Sequence, residues 1–111
     1  MSDLTRLEEQ ILLSVWRLQD EAYGLAIYDH IRKITGKNPA IGGIYFPLER
    51  LVKKGYLRAI QGEPTHIRGG RSKRYYRLTD IGIEEMLHTK KIQDAFWAGI
   101  SLPRIAAEES R

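Results

Sequence analysis

The apolar residues of this chain change their period twice, and those changes set the order of its elements. From Leu4 to Lys54 they recur at helical spacing in three runs. After Gly55 the spacing becomes that of short strands, and after Thr79 it is helical again. The first helix starts near Ser2 to Thr5. Thr5 and Glu8 have capping-box spacing, and Ser2 or Asp3 is the other candidate cap. Leu4, Leu7, Ile11, Val15 and Leu18 make one stripe, and Leu12, Leu13 and Trp16 make a second apolar face. A helix wet on one side needs only one such face. Either this helix is deeply buried or its second face meets another chain.

After the break at Asp20-Glu21, a second helix is expected from Ala22 to Thr35, with Tyr23, Ile27, Ile31 and Ile34 inward and Gly36 as its stop. A turn at Lys37, Asn38 and Pro39 leads to a third helix from Ile41 to Lys54. Its inward stripe is Ile41, Ile44, Leu48, Leu51 and Val52. Pro47 removes a backbone hydrogen bond there and predicts a local distortion in the first turns. Tyr56 to Gln61 and Arg71 to Leu78 read as strands around a loop from Gly62 to Gly70. Of Tyr75 and Tyr76, which alternate along the second strand, one is expected in the core. Thr79 is the N-cap of a last helix reaching Trp97. Along that helix Ile83, Met86 and Leu87 lie on one side, and Ile92, Ala95 and Phe96 lie nearly opposite. Its first half is therefore expected on its own domain and its second half elsewhere. Two helices joined by a short turn and followed by a hairpin describe a winged helix-turn-helix, mainly α with a small β-hairpin, in the order α-α-α-β-β-α. The expected domains are residues 1–78 for the winged helix-turn-helix, 79–98 for a C-terminal helix packed on it, and 99–111 for a flexible tail.

Charge is unevenly placed. Residues 36–79 carry ten bases against Glu49 and Glu63, while the segments on either side are each mildly acidic. A central basic block is the footprint of phosphate binding, and a solvated lysine-rich surface is the plainer alternative. The 42% hydrophobic and 29% charged fractions are those of an ordinary globular protein. A chain of 111 residues builds one modest core, not a large enclosed active site. No apolar run is long enough for a membrane span, no signal-peptide pattern opens the chain, and cysteine is absent, so a cytoplasmic protein is expected. Catalysis finds little support. His30, His66 and His88 lie in separate elements without metal-ligand spacing, the paired glutamates read as solvated faces, and Ser14, Ser72 and Ser101 have no base in view. No enzyme activity, metal or cofactor is expected.

Four segments carry a resemblance. They are LEEQILL from Leu7 to Leu13, EAYGLAI from Glu21 to Ile27, GGIYFPLERLVKKGYL from Gly42 to Leu57, and GGRSKRYYRLTDIG from Gly69 to Gly82. In this order the chain resembles the PadR family of transcriptional regulators over roughly residues 4–90. The resemblance implies a DNA-binding winged helix that dimerises through its first and last helices. Three departures stand on the presumed reading surface. Gly43 replaces the family's usual serine or threonine, Phe46 intervenes between Tyr45 and Pro47, and Ala40 occupies the cap position. They bear on operator preference more than on fold.

The DNA-binding residues expected on this reading are Gly42, Gly43, Tyr45, Phe46, Arg50, Lys53 and Lys54 of the third helix and Arg68, Arg71, Lys73 and Arg74 of the wing. Arginine or lysine can read guanine edges, and an exposed Phe46 can meet a thymine methyl. Gly42 and Gly43 either let backbone amides approach phosphate or only permit tight helix packing. Tyr45 reaches phosphate or packs in the core. Arg74 contacts DNA, snorkels along the sheet or pairs with Glu63. Leu12, Trp16, Ile92, Phe96 and Trp97 are assigned to a homodimer interface, where some relatives hold flat hydrophobic effectors; packing without a ligand is the plainer reading. The function expected is a homodimeric repressor on a pseudo-palindromic operator. A protein–protein module and a low-specificity architectural DNA binder are the rivals.

Overall fold

The structure, a computed structural model, describes residues 4–62 and 73–105. Its elements are α1 (Arg6–Leu18), a 3₁₀ turn (Gln19–Glu21), α2 (Gly24–Thr35), α3 (Gly42–Lys53), β1 (Leu57–Gln61), β2 (Arg74–Leu78) and α4 (Asp80–Trp97). The expected order of helices and strands holds. Residues 106–111 of the expected tail, the whole of Glu63 to Ser72, and with them Arg68 and Arg71, lie outside the described residues.

Local chemistry sets most boundaries. Thr5 Oγ1 accepts from the Glu8 amide at 3.1 Å, and Glu8 Oε1 accepts from the Thr5 amide at 2.9 Å, which completes the capping box. Gly36 takes φ +72°, the left-handed conformation that ends α2. The Tyr28 hydroxyl donates to the Pro39 carbonyl at 2.8 Å and holds the turn before α3. Thr79 caps α4 by accepting from the Gly82 amide at 3.0 Å, and its hydroxyl donates to the Gly55 carbonyl at 2.5 Å. One side chain thus starts α4 and anchors it to the corner where α3 turns into β1.

The core is built from Ile11, Leu12 and Val15 of α1, Ile27 and Ile31 of α2, Ile44, Leu48 and Leu51 of α3, and Leu57 and Tyr76 of the hairpin. β1 and β2 pair antiparallel with Leu57 opposite Leu78 and Gln61 opposite Arg74. Of the tyrosine pair, Tyr76 is the core residue.

Three expectations need correction. Leu12, assigned to the dimer interface, is fully buried in its own chain. On the helical wheel it lies about 40° from Glu8 and about 60° from Val15, so it is the last residue of the core arc, and exposure begins at Trp16 and Leu13. Next, α2 begins at Gly24, not Ala22, because Ala22 and Tyr23 join the sheet. The Tyr76 amide donates to the Ala22 carbonyl at 2.9 Å, and Tyr23 bridges to Tyr75. Finally, Ile34 and Ile41 are exposed rather than inward, being the end positions of their helical runs.

Against this core α4 packs thinly. A Cβ on Gly82 would lie 2.2 Å from the Tyr56 carbonyl oxygen, so the helix touches backbone at its first turn. Met86 packs on the core, but every residue from Lys90 to Ile105 is exposed in the single chain. No helix among the described residues is long and apolar enough to cross a membrane.

Candidate nucleic-acid interface

The inner face of α3 is held by Ile44, Leu48 and Leu51, so its outer face is left to solvent. Pro47 is buried and has no N–H to give to the Gly43 carbonyl. The turn before it is tightened. The Gly43 amide donates to the Ala40 carbonyl at 2.9 Å and the Ile44 amide to Ile41 at 3.0 Å, both three-residue bonds. The helix continues unbroken to Lys53.

The glycines at its start are not there for packing. A Cβ on Gly43 would meet nothing within 4 Å, and one on Gly42 would make only ordinary contact with the Phe46 ring. Phe46 itself is 76% exposed. Tyr45 is half-buried, and its ring lies where a Cβ on Gly24 would be, 2.5 Å away. That close approach explains the glycine at the start of α2. Tyr45, Tyr23, Glu49, Lys73 and Arg74 line one open recess of about 380 Å³ between α2, α3 and β2. Tyr45 therefore packs against the neighbouring helix and still borders solvent.

The basic residues differ in how they are held. Lys54 Nζ lies 3.1 Å from Glu8 Oε2, and Arg50 Nε lies 3.7 Å from the same oxygen. Glu8 is 1% exposed. Burial alone would raise its carboxyl, but the Thr5 amide, Lys54 and Arg50 together hold it below the ordinary carboxylate value. Half of the Arg50 side chain remains open to solvent. Lys53 is exposed. Lys73 Nζ stands 4.0 Å over the Tyr23 ring, and that ring meets Tyr75 edge-on.

Arg74 is paired with Glu49; Glu63, the partner expected from the sequence, lies outside the described residues. Its Nε and Nη2 donate to Glu49 Oε2 and Oε1 at 3.0 and 2.8 Å, and the Tyr76 hydroxyl donates to Oε2 at 2.6 Å. Glu8 and Glu49 are the residues that sequence reasoning left out of the site. For Glu8 the capping-box spacing was the visible signal; for Glu49 there was none, since its partners are 25 and 27 residues away.

On the far side, Trp16, Phe96 and Trp97 are 56%, 78% and 60% exposed. Leu13, Trp16, Ile83, Met86 and Leu87 line a groove of about 600 Å³ between α1 and α4. It is spanned by a hydrogen bond from Gln93 Nε2 to Glu9 Oε1 at 3.0 Å. Ile92, Phe96 and Trp97 do not line this groove; they stand on the projecting half of α4.

Several solved structures share this fold. A transcriptional regulator from Clostridium thermocellum aligns at 25% identity with a TM-score of 0.65, covering 81% of this chain and 82% of that one. A PadR family transcription regulator from Clostridium difficile aligns at 27% identity and a TM-score of 0.59, covering 79% and 88%. A PadR-like transcriptional regulator from Bacillus cereus aligns at 23% and 0.63, covering 81% and 82%. Among curated proteins none matches the chain. The family model of PadR-like transcriptional regulators matches residues 11–88, from the first core residue of α1 to the middle of α4, and describes DNA-binding regulators rather than enzymes. With that match over most of its length, on this fold, the chain belongs to the transcriptional regulator PadR-like family.

Proposed function

We propose that the chain is a homodimeric repressor that reads a pseudo-palindromic operator, with α3 in the major groove and the hairpin loop beside it. The observation that carries this reading is the outer face of α3. Gly42, Gly43, Phe46, Arg50 and Lys53 lie on one side of a helix whose opposite side is the core, and no packing need explains the glycine at 43. An open backbone at a helix N-terminus suits phosphate, and arginine and phenylalanine farther along suit a guanine edge and a thymine methyl. Lys73 at the base of the loop suits a phosphate of the same duplex. Arg68 and Arg71 are assigned the same role from the sequence alone.

The dimer is proposed through the outward side of α1 and the projecting half of α4. Ile92, Phe96 and Trp97 are apolar and exposed among the described residues, while Leu13 and Trp16 offer a matching apolar face. Two such protomers related by a two-fold axis would place two α3 helices on successive major grooves. The groove beside Trp16 has the size and apolar lining for a flat hydrophobic effector, which would act only by binding the DNA-competent and incompetent dimers unequally. Repression follows where the operator overlaps a promoter. The reading places the chain in the cytoplasm with the DNA.

Selection of bound sequences from a random duplex library, followed by titration at several salt concentrations, tests the reading. A selected sequence with two-fold symmetry and a steep salt slope supports it. Equal affinity for all sequences favours the architectural binder, and no binding at low salt leaves the protein–protein module. Phe96→Glu is expected to sediment as a monomer, and a persisting dimer would move the interface off α4.

A further inference from the structure

The geometry points to a clamp in which Glu49, Arg74 and the Tyr76 hydroxyl fix the hairpin against the reading helix, making Arg74 a positioning residue rather than a phosphate contact. This rests on the reading that α3 and the hairpin meet one duplex. Arg74 and Tyr76 are two apart on β2, so they share the strand face turned toward α3. Glu49 comes from the third turn of α3 to meet both. The guanidinium–carboxylate contact is a two-pronged fork, with bonds of 3.0 and 2.8 Å. The phenol adds a third bond at 2.6 Å to the oxygen that already accepts from Nε. Such a fork fixes orientation as well as distance.

The burial of the three groups explains what the clamp does. Tyr76 is 1% exposed, so its hydroxyl needs a partner inside the protein, and Glu49 provides it. Burial, with Glu49 next, pushes the phenol up to about 12, so it remains a donor at any working pH. The ion pair itself is nearly half exposed, so solvent screening leaves it a small effect on global stability. Its effect falls on the angle between two elements. Without Arg74, Glu49 would also stand as a bare negative charge near Lys53 on the helix proposed to read DNA. To bind a phosphate with the same two nitrogens, Arg74 would have to abandon two charge-assisted bonds and expose that carboxylate.

The test uses the full chain, a duplex selected from the random library, and a random-sequence duplex, each titrated across salt concentrations. Arg74→Lys and Glu49→Gln are the informative variants, with Arg74→Ala and Lys73→Ala beside them. Lysine keeps the charge but loses the fork. Arg74→Lys and Glu49→Gln are each expected to lower the ratio of selected to random affinity about tenfold. Arg74→Ala should do the same with its salt slope on random duplex unchanged, whereas Lys73→Ala should lose about 0.9 of slope, one phosphate. Combining Arg74→Ala with Glu49→Ala should cost no more than the larger single change. Two results overturn the clamp: an Arg74→Ala that loses about 0.9 of slope while keeping its selectivity, as a phosphate contact would, or an Arg74→Lys that binds like the parent. A parent chain that prefers no sequence would instead overturn the operator reading, and the clamp's role with it.

Discussion

Replacing Glu8 is the sharpest probe of how this fold is held. The side chain is fully buried and does two jobs at once. Its Oε1 accepts from the Thr5 amide at 2.9 Å, closing the first turn of α1, and its Oε2 accepts from Lys54 Nζ at 3.1 Å, tying α1 to the end of α3. In Glu8→Ala the Thr5 hydroxyl still caps the helix, so the capping loss is about 0.5 kcal/mol, the low end for a cap. The charge-assisted bond to Lys54 is worth about 1.5–3 kcal/mol when buried. It counts near the lower figure here, because the Lys54 side chain is 34% exposed and can regain water. Arg50, 3.7 Å away and half exposed, adds little. One buried methylene contributes about 0.8 kcal/mol. The expected loss is about 2–3 kcal/mol, read from urea denaturation at one fixed protein concentration. Glu8→Gln keeps the bond to the Thr5 amide and isolates the charge. The Glu8 carboxyl is held below its ordinary value of 4.5, so its stabilisation is complete above that pH and declines as pH falls toward the folded-state value. The gap between the parent and Glu8→Gln should therefore be widest near neutrality and narrow in acid. A gap that does not change with pH, or a Glu8→Ala loss below about 0.5 kcal/mol, within the range of an ordinary surface substitution, would refute the argument.

Gly82→Ala should lower stability by about 1–3 kcal/mol in the same denaturation assay, because the added carbon would sit 2.2 Å from a backbone oxygen that no rotamer can move. Gly24→Ala should cost less, since the obstacle is the Tyr45 ring, which can swing away, and a change in tyrosine fluorescence should report that movement. Thr79→Ala removes both the α4 cap and the bond to Gly55, for an expected loss of about 1–2 kcal/mol and faster amide exchange in the first turn of α4. Gly43→Ala separates folding from binding. With open space around it, the variant should gain up to about 1 kcal/mol in stability, and should bind duplex more weakly if the backbone there approaches phosphate.

What the sequence revealed and what it hid divide along chain separation. Thr5 with Glu8, Gly36 and Thr79 are set by bonds within one helical turn, and each was legible from residue type and spacing. The α-α-α-β-β-α order followed from the same local signals. The partners of Ala22 and Tyr23 were not legible, because a two-residue strand has no period and its pairing lies more than fifty residues away in the chain. Leu12 was misassigned for a related reason. Spacing shows that α1 has two apolar faces but cannot say how far around the helix the other elements reach. Ion pairs were hidden most completely. Glutamate on an outer helix face reads as a solubilising charge, whether or not an arginine of a later strand comes to meet it, as Arg74 meets Glu49.

Those hidden pairs change what the basic block means. By sequence, residues 36–79 carry a net charge of +8. In the folded chain Arg50 and Lys54 share Glu8, Arg74 holds Glu49, and Arg77 holds Asp20. Glu8 and Asp20 come from outside the block, so the pairs among the described residues already offset two of its positive charges before any duplex arrives. Sequence-independent affinity follows the number of cations that neutralise phosphates, not the number in the chain. Each cation engaged by a carboxylate therefore weakens binding to arbitrary DNA, while the outer face of α3, proposed above to read bases, keeps its geometry. Among the described residues of the block, Lys37, Lys53, Arg58 and Lys73 take part in none of these ion pairs, and Lys53 and Lys73 stand at the end of α3 and the base of the loop. A protein with this arrangement loses part of its non-specific affinity and keeps its means of discrimination. Restoring positive charge by Glu49→Gln should accordingly strengthen binding to random duplex while weakening the preference for the selected one. Total charge and specificity would then move in opposite directions in a single variant.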